Sequence, residues 1–298
     1  MKKTEIKNIL VTVDFSGISE IAMCEAMTLS RLLKVNVFLL HVVEYTGYYS
    51  SMGPDIEKNL PSLPDVTNVV QKKMENIRAE IKKKFEVNTT IHLATGQVHA
   101  EIIDFSKRNS IDLIIMGTHG TSGYKEFFIG SNAQRVVTLS DIPVLTIQKK
   151  TAKSGFKNIL IPIDNSLHSR EKVNMAILVA VVSSAKIHLI GLSAPKDQQE
   201  LKEINIKLRS VEQVVHSHSL EYITSIINGE NLSEAALKYA SENNCDLIVI
   251  NTGHESNITG IFLGALAQQI VNHSRIPVLS CKHSEGYSSI DTPGFGIS

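Results

Sequence analysis

Residues 7–16 read KNILVTVDFS, and residues 157–166 read KNILIPIDNS. Six of these ten positions are identical, and two others exchange Val for Ile. Further along, IDLIIMGT at 111–118 matches CDLIVINT at 245–252, and DIPVLTI at 141–147 matches RIPVLSC at 275–281. The first match is offset by 150 residues and the later two by 134, so the first copy is longer by 16. Tyr45 to Pro64, rich in Gly, Ser, Tyr and Pro, is the expected seat of the excess. A solenoid repeats every ~20–50 residues, so a duplication this long signals tandem domains instead. The expected boundaries are 1–149 and 155–283, with Lys149 to Gly155 as linker and 284–298 as a tail.

Each quoted stretch opens a copy with the same local grammar. Ile9 to Val13 is a short β-branched run and reads as a buried strand. Ser16 and Ser19 can cap the helix that follows, Ile18 to Lys34. Val35 to Val43 is the second strand. A long polar helix then carries Val69, Val70, Met74, Ile77 and Ile81 at helical spacing and ends in Lys82-Lys83-Lys84, read as a solvated last turn. Thr89 to Ala94, Ile111 to Met116 and Pro143 to Gln148 are further strands; Val98 to Arg108 and Ser131 to Ser140 are the intervening helices. Strands separated by helices pair in parallel through right-handed crossovers. The fold class is therefore α/β: two tandem, doubly wound, open sheets of five parallel strands. Ligands of such sheets bind outside the carboxyl ends of the strands, where strand order reverses. Those ends are Asp14, Val42 with Val43, and Met116 onward.

Composition removes several function classes. The 298 residues are 43% apolar and 20% charged, as in an ordinary globular protein. Thirty Lys plus Arg balance thirty Asp plus Glu, and aromatics are 5% with no Trp. A nucleic-acid partner is not expected, since phosphate neutralisation and base stacking need basic excess and aromatics. No apolar run is long enough to span a membrane, and the N-terminal one is too short for a secretory signal. Cys24, Cys245 and Cys281 form no CxxC pair or disulfide framework. Cys24 is expected on the apolar face of the first helix. A cytoplasmic setting is the expectation.

After the fourth strand comes Gly117-Thr118-His119-Gly120, then nine residues, then Gly130-Ser131 opening a helix. Glycines let backbone N–H groups approach a phosphate chain, and a helix N-terminus adds free donors and a positive dipole end. Gly130 is expected to turn the chain sharply into that helix. GxxxxGK[ST] does not occur, which argues against a fast motor-type ATPase.

With Val13-Asp14-Phe15-Ser16, His41-Val42-Val43, Met116-Gly117-Thr118-His119-Gly120 and Gly130-Ser131, the chain resembles the universal stress protein family in its tandem form, over about residues 5–283. The resemblance implies a Rossmann-like domain of the adenine nucleotide alpha hydrolase type that binds ATP, with magnesium as its companion ion. It implies Asp14 at the adenosine moiety, with Ser16 beside it, and Val42 backbone at the adenine edge. Met116 would lie beside the nucleoside, Gly117, His119 and Gly120 along ribose and phosphates, and Gly130, Ser131, Asn132 and Ala133 at the distal phosphates. Ala133 departs from the family, which often has a second hydroxyl there. Asp14 could serve instead as a helix cap, and His119 as an exposed loop histidine.

The second copy reads Asn251-Thr252-Gly253-His254 and Gly264-Ala265 at the matching places, so two approach glycines and the hydroxyl are gone, although Asp164 and Ser166 survive. One ATP per chain is expected. The H-x-H of His216 and His218 falls short of the three or four ligands zinc needs. Expected partners are an adenine nucleotide and the other half of the same chain. The two final strands would be neighbours in an intrachain pseudo-dimer, leaving other surfaces for any homodimer. The function expected is nucleotide-dependent regulation in a stress response, with at most slow hydrolysis. The rivals are an interaction module acting through protein partners and a small-molecule hydrolase built on the His119 loop.

Overall fold

The computed structural model describes residues 6–44, 62–118, 129–148, 155–164, 170–194, 198–252, 254–257 and 260–282. The first half runs β1 (Asn8–Thr12), α1 (Gly17–Leu33), β2 (Asn36–Val43), α2 (Leu63–Phe85), β3 (Thr89–Thr95), α3 (Val98–Arg108), β4 (Leu113–Gly117), α4 (Ser131–Leu139) and β5 (Val144–Ile147). The second runs β6 (Asn158–Ile163), α5 (Arg170–Ser183), β7 (Lys186–Ser193), α6 (Gln198–Ser217), β8 (Tyr222–Asn228), α7 (Leu232–Glu242) and β9 (Leu247–Thr252). A hairpin of β10 (His254–Asn257) and β11 (Gly260–Leu263) follows, then α8 (Ala265–His273) and β12 (Val278–Lys282). The hairpin follows β9, the counterpart of β4.

Local chemistry sets the helix ends. Ser16 is the N-cap of α1, its hydroxyl accepting the Ser19 N–H at 3.2 Å, and Lys34 closes the helix in the left-handed region at φ 57°. Ser62 caps α2, which carries Pro64 in its first turn and ends at Glu86, φ 60°. Lys82, Lys83 and Lys84 are exposed in its last turn.

Each half is doubly wound and parallel, and the two halves join in one sheet with the order β3-β2-β1-β4-β5-β12-β9-β6-β7-β8. The junction is antiparallel, pairing Val144 with Ser280, Leu145 with Leu279 and Thr146 with Val278. Strand order reverses between β1 and β4 in the first half and between β6 and β9 in the second. Because side chains alternate along a strand, the sheet has two apolar faces. Ile9, Val11, Ile115, Leu145, Ile159, Val249 and Leu279 share one face with α1, α2, α5 and α6. Leu10, Ile114, Val144, Leu160, Ile248 and Val278 share the other with α3, α4, α7 and α8. Both cores run across the junction.

The Asp of each IDL or CDL repeat is structural. Asp112 accepts the N–H groups of Lys7 and Asn8 at 2.8 and 2.9 Å. Asp246 does the same for Lys157 and Asn158 at 2.8 and 3.0 Å. Each ties the start of its half's first strand to the neighbouring strand.

One expectation is overturned. Cys24 is exposed. The buried residues of α1 include Ala22, Met23, Glu25 and Ala26, so Cys24 falls on the outer face of that turn. Cys245 and Cys281 are buried, and desolvation pushes the Cys245 thiol up to about 12. Among the described residues, no group of three or more His, Cys, Asp and Glu could hold a metal ion, and no helix is long and apolar enough to cross a membrane.

Candidate functional site

The strand ends named by the sequence pattern meet at the carboxyl edge of the first half. Beyond β1 the chain makes a tight turn. Asp14 accepts the Ser16 N–H on Oδ1 at 2.9 Å, and its own N–H donates to Ser19 Oγ at 3.3 Å. Between them Phe15 sits in the left-handed region at φ 62°, uncommon for a bulky residue and a form of strain that clusters at functional sites. Asp14 thus has a structural task, holding the turn that positions the Ser16 cap. It remains half-buried at the switch point.

Phe15 rests on His41, with ring centroids 4.6 Å apart. His41 lies 2.6 Å through Nδ1 from Val13 O, and since a carbonyl only accepts, Nδ1 carries the proton. Burial lowers the His41 pKa below its usual value, against the opposing effect of the Val13 bond and Asp14. Lys73, from α2, places its ammonium 5.3 Å from the Phe15 ring centroid. The sequence pattern did not single out Lys73. Its signal was a cation at an otherwise ordinary polar position of a long helix, where charge alone says nothing.

At the end of β4, Met116 is buried beside half-buried Gly117. A Cβ at Gly117 would come 2.9 Å from Ile18 Cγ2, so the glycine lets β4 pack against the first turn of α1. Gly117 therefore also has a packing role: the crowding at its Cβ position comes from the protein's own helix. Thr118, absent from the expected site, ties the region together. Its N–H donates to Ile147 O at 2.9 Å, and its carbonyl accepts the Gly130 N–H at 2.6 Å, which ties the start of α4 to the end of β4. His119 and Gly120 lie outside the described residues, as do Ser166, Gly253, the stretch 45–61, the linker 149–154 and the tail from 283.

Gly130 is the N-cap of α4, at φ −61° and ψ 150°. Any residue adopts that conformation, so the expectation that glycine is needed for a sharp turn is corrected. What glycine does here is leave the helix without a side-chain cap. The first N–H groups of an α-helix have no partner within it. Gln134 N–H bonds Gly130 O, which leaves the N–H groups of Ser131, Asn132 and Ala133 as the donors of the opening turn. There is no acidic side chain in that turn, and Ser131 is exposed. Ala133 is buried, its methyl in the core with Val136 and Val137, so only its backbone can serve a ligand. This donor set of backbone N–H groups and one hydroxyl suits an anion. Val42 is half-buried on β2, paired with Ala94 of β3.

The second half repeats the frame with different chemistry. Asn251 stands at the Gly117 position with both side-chain polar atoms buried and no hydrogen-bond partner among the described residues. α8 opens on Gly264 without a side-chain cap, as α4 does, but Ala265 replaces Ser131. His216 closes α6, and exposed His218 bonds Val214 O at 2.9 Å through Nδ1.

Comparison with known proteins agrees with the fold. The model of the universal stress protein family matches twice, at residues 5–148 and 155–282. A universal stress protein of Methanocaldococcus jannaschii is 30% identical over 159 residues, covering 49% of this chain and 97% of its own. One from Synechocystis is 22% identical over 292 residues, 92% of this chain and 99% of its own. The crystal structure of a universal stress protein from Archaeoglobus fulgidus superposes with a TM-score of 0.72 at 20% identity, covering 95% of this chain and 99% of that one. With two matches in tandem, each over one doubly wound half, the chain belongs to the universal stress protein family.

Proposed function

We propose that the first half binds one adenine nucleotide, ATP, at the carboxyl edge of β1, β2 and β4, and that occupancy regulates the two-half unit in a stress response. The observation that carries this reading is the opening of α4. A helix whose N-cap has no side chain, at the switch point of a doubly wound sheet, offers backbone donors to a phosphate chain. Family membership supports it. Gly130, Ser131, Asn132 and Ala133 would hold the distal phosphates, with Gly117, His119 and Gly120 along the ribose and inner phosphates. Asp14 would meet the adenosine moiety, beside Ser16, with Val42 backbone at the adenine edge and Met116 beside the nucleoside. Magnesium would accompany the triphosphate. Without a P-loop lysine, hydrolysis would be slow. The halves would work as an intrachain pair joined through β5 and β12.

Native mass spectrometry of the purified protein and calorimetric titration test the reading. The expected result is one ATP per chain. Gly130→Asp caps α4 with its own carboxylate and so keeps the helix, while it takes the donors and repels phosphate. It should weaken ATP binding by about 10², from the loss of one charged hydrogen-bonded contact of ~1–3 kcal/mol. A folded protein that ignores millimolar ATP would leave the alternative, a module that acts through protein partners.

A further inference from the structure

The second half carries a lysine where the first half has alanine. Lys172 lies on α5 at the position of Ala22 on α1, 150 residues earlier. Ala22 is a plain core residue, fully buried. Lys172 is also buried, 3% exposed, and its Nζ donates to Pro162 O at 2.6 Å.

The place of that carbonyl matters. Peptide groups along a strand face alternate neighbours. Asp246 N–H bonds Asn158 O, so the even-numbered residues of β6 face β9. The β6–β9 ladder covers Ile159 and Leu160 and stops there. The Pro162 carbonyl therefore points into the gap where the two strands part, which is the switch-point crevice of the second half. Proline has no N–H to leave unpaired in that gap. The Lys172 Nζ reaches that carbonyl from α5.

Two further features close the same mouth. Lys207, the counterpart of Lys73, brings its Nζ to 3.4 Å from Asp164 O. Gly191 stands where the first half has His41, and a Cβ there would lie 2.6 Å from Ile204 and 2.9 Å from Leu208 of α6. The glycine lets α6 lie directly over β7 and touch β6, whereas α2 packs chiefly over β3.

We infer that the second half's crevice holds a built-in occupant: the Lys172 ammonium sits at the switch point in place of a ligand, hydrogen-bonded to Pro162 O. Burial lowers the Lys172 pKa, and the charges of Asp164 and then Cys281 oppose that shift. The second half is thereby held in one filled state, and ligand-dependent change is left to the first half. The inference rests on the reading of the switch point as the ligand mouth, but its test involves no nucleotide.

Lys172→Ala copies Ala22 and leaves a hole shaped for a small primary ammonium. Its Tm should fall by several degrees, and ethylammonium chloride should recover part of the loss. Tetramethylammonium chloride at the same concentration should not. Equal responses to the two salts would overturn the inference, as would a variant as stable as the parent. Should Lys172→Ala fail to fold, a cycle of Lys172→Met and Asp164→Asn decides. Asp164→Asn should lower Tm more when Lys172 is present than beside Met; additive effects reject a charged occupant at this mouth. ATP stoichiometry is read in separate titrations, so a first half that binds no nucleotide leaves these outcomes intact.

Discussion

Gly117 shows how one residue can answer to two demands. The turn at its end of β4 faces the candidate site, yet its missing side chain is accounted for by Ile18, 2.9 Å from where a Cβ would sit. Gly117→Ala should therefore destabilise the fold by about 1–3 kcal/mol through overpacking, measured by urea unfolding, whether or not nucleotide is present. A variant of unchanged stability would remove this packing account of Gly117, and loss of ATP binding in it would leave ligand approach as the glycine's role. His92 offers a different residue-scale test. Its ring lies 4.8 Å from that of Phe105 and 5.9 Å from that of Phe38, with Nε2 buried and unpartnered among the described residues. Burial lowers its pKa from the ordinary 6.5. Between the folded and unfolded values the unfolded chain binds more protons. The stability that neutral His92 contributes is full above about pH 6.5 and drains as pH falls toward the folded value. His41 and His188, also lowered by burial, act in the same direction. Denaturant midpoints should fall below pH 6.5, and His92→Leu should flatten that fall.

At the scale of elements, the two long helices differ in the strand they cover. α2 and α6 present matching apolar residues: Val70, Met74, Ile77 and Ile81 in one, Ile204, Leu208, Val211 and Val215 in the other. Yet α6 comes down on β7 because Gly191 has no side chain, while His41 and Phe15 fill the corresponding space in the first half. The two halves thus differ at one position on the second strand of each, where Gly191 of β7 answers to His41 of β2. Gly191→Ala puts a methyl against two side-chain ends that can partly shift. It should cost roughly 1–3 kcal/mol, read in chemical denaturation. A neutral result would mean that α6 has room to lift.

The whole molecule is organised about the antiparallel meeting of β5 and β12. An apolar edge strand left unpaired invites association, and here each final strand covers the other. Thr146 Oγ1 donates to Val278 O at 3.2 Å, and Gln148 Nε2 to Val271 O at 3.1 Å. Lys282 pairs with Asp141, holding its carboxyl below the usual range, though at this exposure the pair adds little stability. The short linker keeps the two edges at high effective concentration, which favours pairing within a chain over pairing between chains. A Val144→Cys, Ser280→Cys protein lacking Cys24, Cys245 and Cys281 should oxidise to a cross-linked monomer. Cross-links formed solely between chains would reject the intrachain pair in solution.

Much of this architecture was legible in the chain itself. The repeat, the alternation of strands and helices, and the edge of the sheet that holds the candidate site all follow from local periodicity and from glycine and cap positions. A period of two or of 3.6 tells which side of its own element a residue faces. It does not tell what the neighbouring element brings to that side. The reason for glycine at 117 lies in a helix about a hundred residues away in sequence, and the exposure of Cys24 in which neighbours α1 meets. Lys172 reads as a misplaced charge on an apolar helix face until the parting of β6 from β9 supplies a carbonyl for it. Sequence determined the two frames and where a ligand would be sought, because those rest on contacts between near neighbours. Tertiary structure decided which mouth is closed, because closure depends on lysines from α5 and α6 meeting backbone carbonyls at the end of β6.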